Sequence, residues 1–458
     1  MASGNMTLEI TEDGRFVFHG KSYKPTEDKN ALLAPLGKVL LNYGQELMML
    51  PEGGEPQGIN QQIGNARFVK NDYLNARIAY YGETKKTLSV GRYKKEYLPK
   101  LKEGNPFLLL SDKFALESAA EDVDAAYVNF FEGRAGFPKF ASKNKPKGNK
   151  YRTKQTNNNI RVFYGRRNPE DLNEPEYPYI KLPKLEPIRF VLPLGKTIDD
   201  IVPKGARITS ATVTLTGNST YTVSLQMETV IDLAEPFEIL SMKDVWAVDL
   251  GLKDFGTFGN LEETEVVENP RWIKLHAKRL RRLQKALSRK QYDEKAHRGS
   301  RNWEKARLKV AKEQRKAKNQ RKDFHHKKSR EIADRCKVFV CEDLCVKGMM
   351  KNRRMAKSVA SVGWGQFLTF VEYKLKRKGG RLVKIDRWYP SSQLCFGCGY
   401  KNADVKDLKV RDWTCPSCGM HHDRDENAKN NICRKGIWDL MAEGIIVTGM
   451  ETKMPSAA

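Results

Sequence analysis

Apolar residues recur along this chain with a helical period in some stretches and a strand period in others, and the changes of period mark its elements. Leu8 to Phe18 alternates around Asp13-Gly14 and predicts a small hairpin. Helical spacing follows. Ile63, Ala66, Val69, Tyr73, Ala76 and Tyr80 mark one amphipathic helix, and Leu116, Ala119, Val123, Ala126, Tyr127 and Phe130 mark a second. Asn30 to Leu50 reads as a further helix. Gly133 to Lys154, with Pro138, Pro146 and many lysines, reads as a basic loop or a lightly ordered strand pair. From Ile160 to Val230 the pattern turns to β, with runs at Arg161–Tyr164, Ile188–Leu192, Ala211–Leu215 and Tyr221–Leu225, the last two separated by a turn at Thr216–Thr220. Several short strands and turns predict a small barrel.

Two later apolar runs each end in an acid. Val245-Trp-Ala-Val-Asp249-Leu-Gly251 is a strand that delivers Asp249 where the chain must turn, with Phe255-Gly-Thr-Phe258 as its antiparallel partner. Lys337-Val-Phe-Val-Cys341-Glu342 repeats the arrangement and delivers Glu342. Between them, Leu280, Leu283 and Leu287 mark the apolar side of one helix. Trp303, Ala306 and Val310 mark another, with His297-Arg-Gly-Ser300 as the bend. Asp425 then opens a helical stretch, Glu426 to Ile437.

Charge changes the picture. The 458 residues carry 82 Lys and Arg against 56 Asp and Glu, a formal net charge of +26, and such an excess points to a polyanionic partner, nucleic acid first. The excess is concentrated: Arg271 to Arg335 holds about 25 basic residues against about 7 acids. A helical hairpin this uncompensated repels itself unless something anionic lies along it, and Lys278, Arg279, Arg282, Arg315, Lys316, Arg321 and Lys322 are its candidate contacts. No apolar run is long enough to span a bilayer and no signal peptide is recognisable, so the expectation is a cytoplasmic protein with no membrane partner.

Four of the eight cysteines form the pairs Cys395-x-x-Cys398 and Cys415-x-x-Cys418, sixteen residues apart. Four thiolates in this spacing suit tetrahedral Zn²⁺ with no open position, a structural site whose binding free energy of about 10–16 kcal/mol can fold a loop with little core of its own. His421 and His422 lie close by, but four cysteines complete the shell. Cys336, Cys341, Cys345 and Cys433 read as ordinary reduced thiols. The acids gain meaning as a set. Two-metal phosphodiester cleavage requires carboxylates that hold two Mg²⁺ or Mn²⁺ ions about 3.5–4 Å apart, and neighbouring strands can bring Asp249 and Glu342 together, with Asp425 as the third. Asp423, two residues away, is the rival for that third position as an outer ligand or a helix cap.

Asp249-Leu-Gly-Leu, Glu342-Asp-Leu, Gly363-Trp-Gly-Gln-Phe367, Pro390-Ser-Ser392, the two cysteine pairs and Asp423-Arg-Asp-Glu-Asn-Ala428 resemble the split RuvC nuclease and zinc ribbon of transposon-encoded TnpB proteins and the related compact type V CRISPR effectors. Arg321-Lys-Asp-Phe-His-His-Lys327 resembles the family's segment between the first two RuvC motifs; Phe130-Phe131, Gly136-Phe-Pro-Lys-Phe140 and Ile180-Lys-Leu-Pro-Lys184 resemble its N-terminal half more loosely. The resemblance implies a multidomain α+β chain: a β-barrel wedge domain with an inserted helical recognition domain, then an RNase H-like RuvC α/β domain with an inserted zinc ribbon. The expected boundaries are 1–29 and 151–240 for the wedge and 30–150 for the recognition domain. RuvC would occupy 241–390 with the basic hairpin 271–335, the zinc ribbon 391–420, and the last RuvC motif and tail 421–458. It also implies an RNA-guided DNA endonuclease with guide RNA and target DNA as partners, acting as a monomer or as a homodimer around one guide. Asp249, Glu342 and Asp425 would be the catalytic magnesium ligands of a single site. A repressor that keeps guided binding without cleavage, and a plain zinc-ribbon DNA-binding protein, are the competing readings; the presence of all three acids argues against the first.

Overall fold

The computed structural model describes residues 8–10, 16–18, 21–23, 38–52, 55–143, 149–166, 170–171, 173, 175–217, 219–232, 237–293, 298–407 and 409–449. The chain divides into two compact units, Met1–Leu233 with Tyr292–Gly299, and Ala234–Gln291 with Ser300–Ala458.

In the first unit, β1 (Leu8–Ile10), β2 (Phe16–Phe18) and β3 (Lys21–Tyr23) form a small antiparallel sheet, with Leu8 opposite Phe18 as the hairpin pattern requires. A second sheet is built from β4 (Lys38–Met49), β5 (Lys150–Lys154), β6 (Arg161–Gly165), β7 (Tyr177–Lys181), β8 (Ile188–Val191), β9 (Arg207–Leu215) and β10 (Tyr221–Asp232). Its order is β5-β9-β10-β4-β8-β7-β6. The expected small barrel is therefore corrected: among the described residues this is an open seven-stranded sheet with β5 and β6 at its edges, and the β1–β3 hairpin is a sheet of its own.

The helix expected at Asn30 to Leu50 is also corrected. Residues 30–37 lie outside the described residues, and Lys38–Met49 is a strand that pairs with all twelve residues of β10. Its apolar run fits either period, and the ladder decides: Leu47 and Met49 are buried while Glu46, Met48 and Leu50 face out, an alternation only a strand makes.

The two helices read from the 3.6 period are α1 (Glu55–Thr84) and α2 (Lys113–Phe131), the latter capped by Asp112, whose carboxylate accepts from the Ala115 N–H. Ile59, Ile63 and Ala66 of α1 and Ala115 and Ala119 of α2 pack on Met49, Val213, Val223 and Leu225 of the sheet. Further along, Val69, Tyr73, Leu116, Val123 and Tyr127 close a second core with Leu88, Tyr93 and Leu98 of the connecting segment.

In the second unit, β11 (Ile239–Ser241) pairs in parallel with a C-terminal strand described below. The main sheet contains β12 (Val245–Asp249), β13 (Asp254–Gly259) and β14 (Glu265–Glu268). Past the short pair β15 (Tyr292–Asp293) and β16 (Arg298–Gly299), which belongs to the first unit, it adds β17 (Val338–Glu342) and β18 (Arg381–Ile385). Its order is β14-β13-β12-β17-β18, antiparallel over the first three strands and parallel over the last three. The parallel strands are buried on both faces, which is why they read as unbroken apolar runs.

The basic hairpin is α3 (Trp272–Ser288) and α4 (Arg301–Arg335), the second capped by Ser300. Then come α5 (Trp364–Arg377), the cysteine module with β19 (Asp412–Thr414) and β20 (His421–Asp423), α6 (Arg424–Ala442), and β21 (Ile446–Thr448), the partner of β11. Side-chain parity sorts the two faces of the sheet. Trp246, Val248, Phe339 and Cys341 pack with Ile332 of α4 and Phe367, Val371 and Leu375 of α5. Val245, Ala247, Val338 and Val340 pack with Ile432, Cys433, Ile437 and Leu440 of α6. Among the described residues no helix is long and apolar enough to cross a membrane.

Candidate metal and nuclease centre

The period-two rule fixes where the strand-end acids go. Asp249 shares parity with Val245 and Ala247, and Glu342 with Val338 and Val340, so both acids end their strands on the α6 face. The strands are parallel neighbours in register, Val248 opposite Cys341, which sets the two acids side by side at one end of the sheet. The first turn of α6 brings Asp425 to that end. Gly436 allows the approach: a Cβ there would sit 2.5 Å from the Val340 side chain, so only glycine lets α6 lie this close to the strand carrying Glu342.

The electrostatics report the same meeting. Asp249 is pushed up to about 7, first by desolvation at the strand end, then by the neighbouring Glu342 and Asp425 charges, against the pull of Arg424 and Arg411. Glu342 is raised by burial and partly relieved by the Ser391 hydroxyl, which donates to its Oε1 at 2.7 Å. Asp425 is paired with Arg411, whose guanidinium donates to both carboxylate oxygens at 2.9 and 3.0 Å. Asp423 is the helix cap: its Oδ1 accepts from the backbone N–H groups of Asp425 and Glu426 at 3.0 and 2.8 Å.

Two further residues hold α6 in place. Lys429, 1 % exposed, donates through Nζ to the carbonyls of Asn260 and Glu263 at 2.6 and 3.0 Å, and burial lowers its pKa. Glu426 accepts from the Thr264 hydroxyl at 2.8 Å. Sequence reasoning missed Ser391 and Arg411 as partners of the acids and Lys429 as an anchor of α6. Ser391 lies inside a quoted motif, whereas nothing in the local sequence distinguishes Arg411 or Lys429 from any other basic residue.

The four cysteines of the two pairs come together with all four sulfurs within 4.8 Å of one another, and could hold one metal ion. They are the only such group among the described residues, so the three carboxylates stand further apart than that. Each pair makes the same turn. The Gly399 N–H donates to the Cys395 carbonyl and the Gly419 N–H to the Cys415 carbonyl, both at 2.9 Å, with φ of +78° and +74°, a conformation that favours glycine. The Tyr400 backbone N–H is the main influence drawing the Cys398 thiol down to about 7. His422 Nε2 lies 3.0 Å from Cys395 Sγ, a contact to a sulfur of the cluster, while His421 faces solvent near Thr414. Cys336, Cys341 and Cys433 are buried thiols pushed up to about 12, and Cys345 is exposed.

The basic hairpin is not uniformly a solvated face. Lys278, Arg282 and Lys316 are exposed. Arg279 is paired with Glu313 at 3.1 Å. Arg321 donates to the carbonyls of Ala360 and Ser361, and His325 contacts the Val362 carbonyl at 2.9 Å, so this part of α4 ties down the segment before α5. Arg315 and Lys322 are half-buried.

Comparison with known proteins places this architecture. The family model OrfB_IS605, described as a probable transposase, matches residues 240–353, and the Cas12f1-like TNB domain matches 364–432. A Streptomyces pristinaespiralis protein named as an RNA-guided DNA endonuclease is 31% identical over 388 residues, 84% of this chain and 87% of the relative. InsQ of Escherichia coli K12, also named as an RNA-guided DNA endonuclease, is 24% identical over 89% of this chain and 96% of its own. A structure titled as the Cas12f1-sgRNA-target DNA complex shares the fold, with a TM-score of 0.53 at 14% identity over 83% of each chain. The chain belongs to the TnpB family, the one its motifs resemble.

Proposed function

We propose that the chain is an RNA-guided DNA endonuclease that cuts at one site, with Asp249, Glu342 and Asp425 holding two Mg²⁺ or Mn²⁺ ions and the four cysteines holding one structural Zn²⁺. The observation that carries the reading is the convergence of the acids: Asp249 and Glu342 end neighbouring parallel strands on one face, the first turn of α6 brings Asp425 to the same end, and the charges of Glu342 and Asp425 help to raise Asp249. Three carboxylates converging at one end of the sheet, with Asp425 balanced by Arg411, suit divalent cations. Bound there, the ions would activate water and stabilise the leaving oxygen. The protein's part is to keep Glu342 ionised through Ser391, to hold Asp425 in the first turn of α6 through the Asp423 cap, and to neutralise Asp425 with Arg411 when no other cation is present.

The cysteine geometry favours zinc. A tetrahedron with Zn–S bonds of about 2.3 Å has sulfur–sulfur edges of about 3.8 Å, and Cys395–Cys418 and Cys398–Cys415 stand 3.6 Å apart in each case. Sequence specificity would come from base pairing between guide RNA and target DNA, with the protein supplying a positive surface that follows the backbone. The open sheet with its inserted helices would be the wedge and recognition parts, and the exposed Lys278, Arg282 and Lys316 would meet nucleic-acid phosphates.

The test is to purify the protein from cells carrying its native genomic flanks, sequence the co-purifying RNA, and incubate the complex with Mg²⁺ and DNA matching that RNA. Guide-dependent cleavage that is lost in Asp249→Ala, with guided binding retained, is the expected result. Absence of a defined RNA, or cutting that survives Asp249→Ala, would sink the reading.

A further inference from the structure

A cleft of about 470 Å³ opens in the second unit between the start of α3 and residues 357–361. Arg271, Lys274, Arg281 and Lys357 line it with the serines Ser358 and Ser361, and none of its lining residues is acidic. Lys274, Arg281 and Lys357 are exposed and have no ion-pair partner among the described residues. Lys274 and Arg281 lie two helical turns apart, about 10 Å along the axis, so each can meet a separate charge on an extended ligand.

The cleft is also built. Arg271 has a left-handed backbone, φ +50°, which costs a non-glycine residue about 1–2 kcal/mol. It is held there by its N–H donating to Asn269 Oδ1 at 3.0 Å and its guanidinium donating to the Lys253 carbonyl at 3.2 Å. Asn269 in turn donates to the Leu252 carbonyl at 2.9 Å. These bonds clamp the cleft to the turn that leaves β12, and Leu252, which lines it, is three residues after Asp249.

We propose that this cleft is a phosphate subsite for the DNA strand being cut, gripping the backbone beside the phosphodiester presented to Asp249, Glu342 and Asp425. The proposal rests on the endonuclease reading for the identity of the strand. Four cations around one concavity repel one another unless an anion lies among them, and guanidinium, ammonium and hydroxyl donors together match phosphate oxygens. Leu252 is no more than about 11 Å of chain from Asp249, so a strand cut at the end of β12 passes within reach of the cleft, which favours the substrate strand over the guide.

The test is the double variant Lys274→Gln/Lys357→Gln, both exposed positions outside the carboxylate set. In the guide-loaded complex, single-turnover cleavage should fall by about tenfold at near-physiological salt, while guide-RNA affinity stays unchanged. A second measurement does not depend on cutting. Binding of a short oligothymidylate to the full chain should lose about 1.4 from its log–log salt slope, about 0.7 for each lost phosphate contact. An unchanged slope overturns the subsite whether or not the protein proves to be a nuclease. A flattened slope with full cleavage overturns its link to the cutting site, and loss of guide-RNA affinity would make it an RNA site instead. A slope that flattens in the variant as expected, alongside a wild-type complex that cuts nothing, would refute the endonuclease reading and, with it, the assignment to the cut strand.

Discussion

Replacing Asp249 by Asn removes one negative charge from the place where Glu342 and Asp425 also bear down, and the sign of the stability change follows from linkage. The ordinary value for Asp is 3.8 and the folded protein pushes this one up to about 7. Below about pH 4 the carboxyl is protonated in both folded and unfolded chains and contributes nothing to their difference. Between the two values the folded state keeps a proton that the unfolded state has released, so stability falls as pH rises; above about 7 the full penalty is present. At 1.36 kcal/mol per pKa unit the penalty is at most about 4 kcal/mol, and solvent screening at a partly exposed strand end lowers it to roughly 1–3 kcal/mol. In the metal-free protein, Asp249→Asn should therefore melt with wild type near pH 4 and above it by several degrees at pH 8. Thermal melts in chelator across that range make the measurement. Mg²⁺ should raise the wild-type melting temperature and leave the variant's almost unchanged. An advantage for Asn that does not grow with pH, or a loss at pH 8, would refute the anionic cluster.

Ser391→Ala removes the hydroxyl that favours ionised Glu342, so the acid limb of the cleavage pH profile should move to higher pH and the rate near neutrality drop by about tenfold or more, from about 1.5–3 kcal/mol for one hydrogen bond to a charged group; an unmoved limb would deny Ser391 that role. Cys395→Ser with Cys415→Ser should release one zinc per chain by elemental analysis and reduce cleavage with it, and undiminished zinc would refute the four-cysteine site. Gly436→Ala should cost about 1–3 kcal/mol by overpacking against Val340, measured by denaturant unfolding, and Val340→Ala added to it should recover part of the loss. Lys278, Arg282 and Lys316 changed together to Gln should flatten the salt slope of guide-RNA or DNA binding by about 2–3; an unchanged slope would return these residues to a solvated face.

The strands bearing Asp249 and Glu342 were legible because strands buried on both faces need apolar residues at every position, and the acid at each end marks where burial stops. That both acids fall on the α6 face was not legible, since parity has meaning only once β12 and β17 are paired. The same limit explains β4. Val39 to Leu50 has enough apolar residues for either period, and what makes it a strand is β10, 180 residues later. Closure of the expected barrel depended likewise on edge pairings that no local pattern encodes. Arg321 sits in a charge run that points to nucleic acid, while its structural partners are the carbonyls of Ala360 and Ser361, about 40 residues away in sequence, which no local pattern encodes. The cysteine cluster was the easiest element to read, because a CxxC turn places two sulfurs by local geometry alone.

The cysteine module and the third carboxylate are mechanically one object. Asn427 and Asn431 donate to the Leu394 carbonyl, Asn431 also to that of Ser391, and Arg434 to that of Phe396, so α6 grips the segment that leads into Cys395. From the other side, β20 ends in the capping Asp423, and Arg411, one residue before β19, pairs with Asp425. Yet among the described residues the module's own buried core consists of Val405 and Trp413 besides Cys395 and Cys415, too little apolar surface to order some 30 residues against about 1–2 kcal/mol of backbone entropy each. A metal held by the four thiols would offset much of that cost. On the proposed reading the position of Asp425 would therefore depend on the cysteines, and metal loss there should disable cutting without touching any of the three acids.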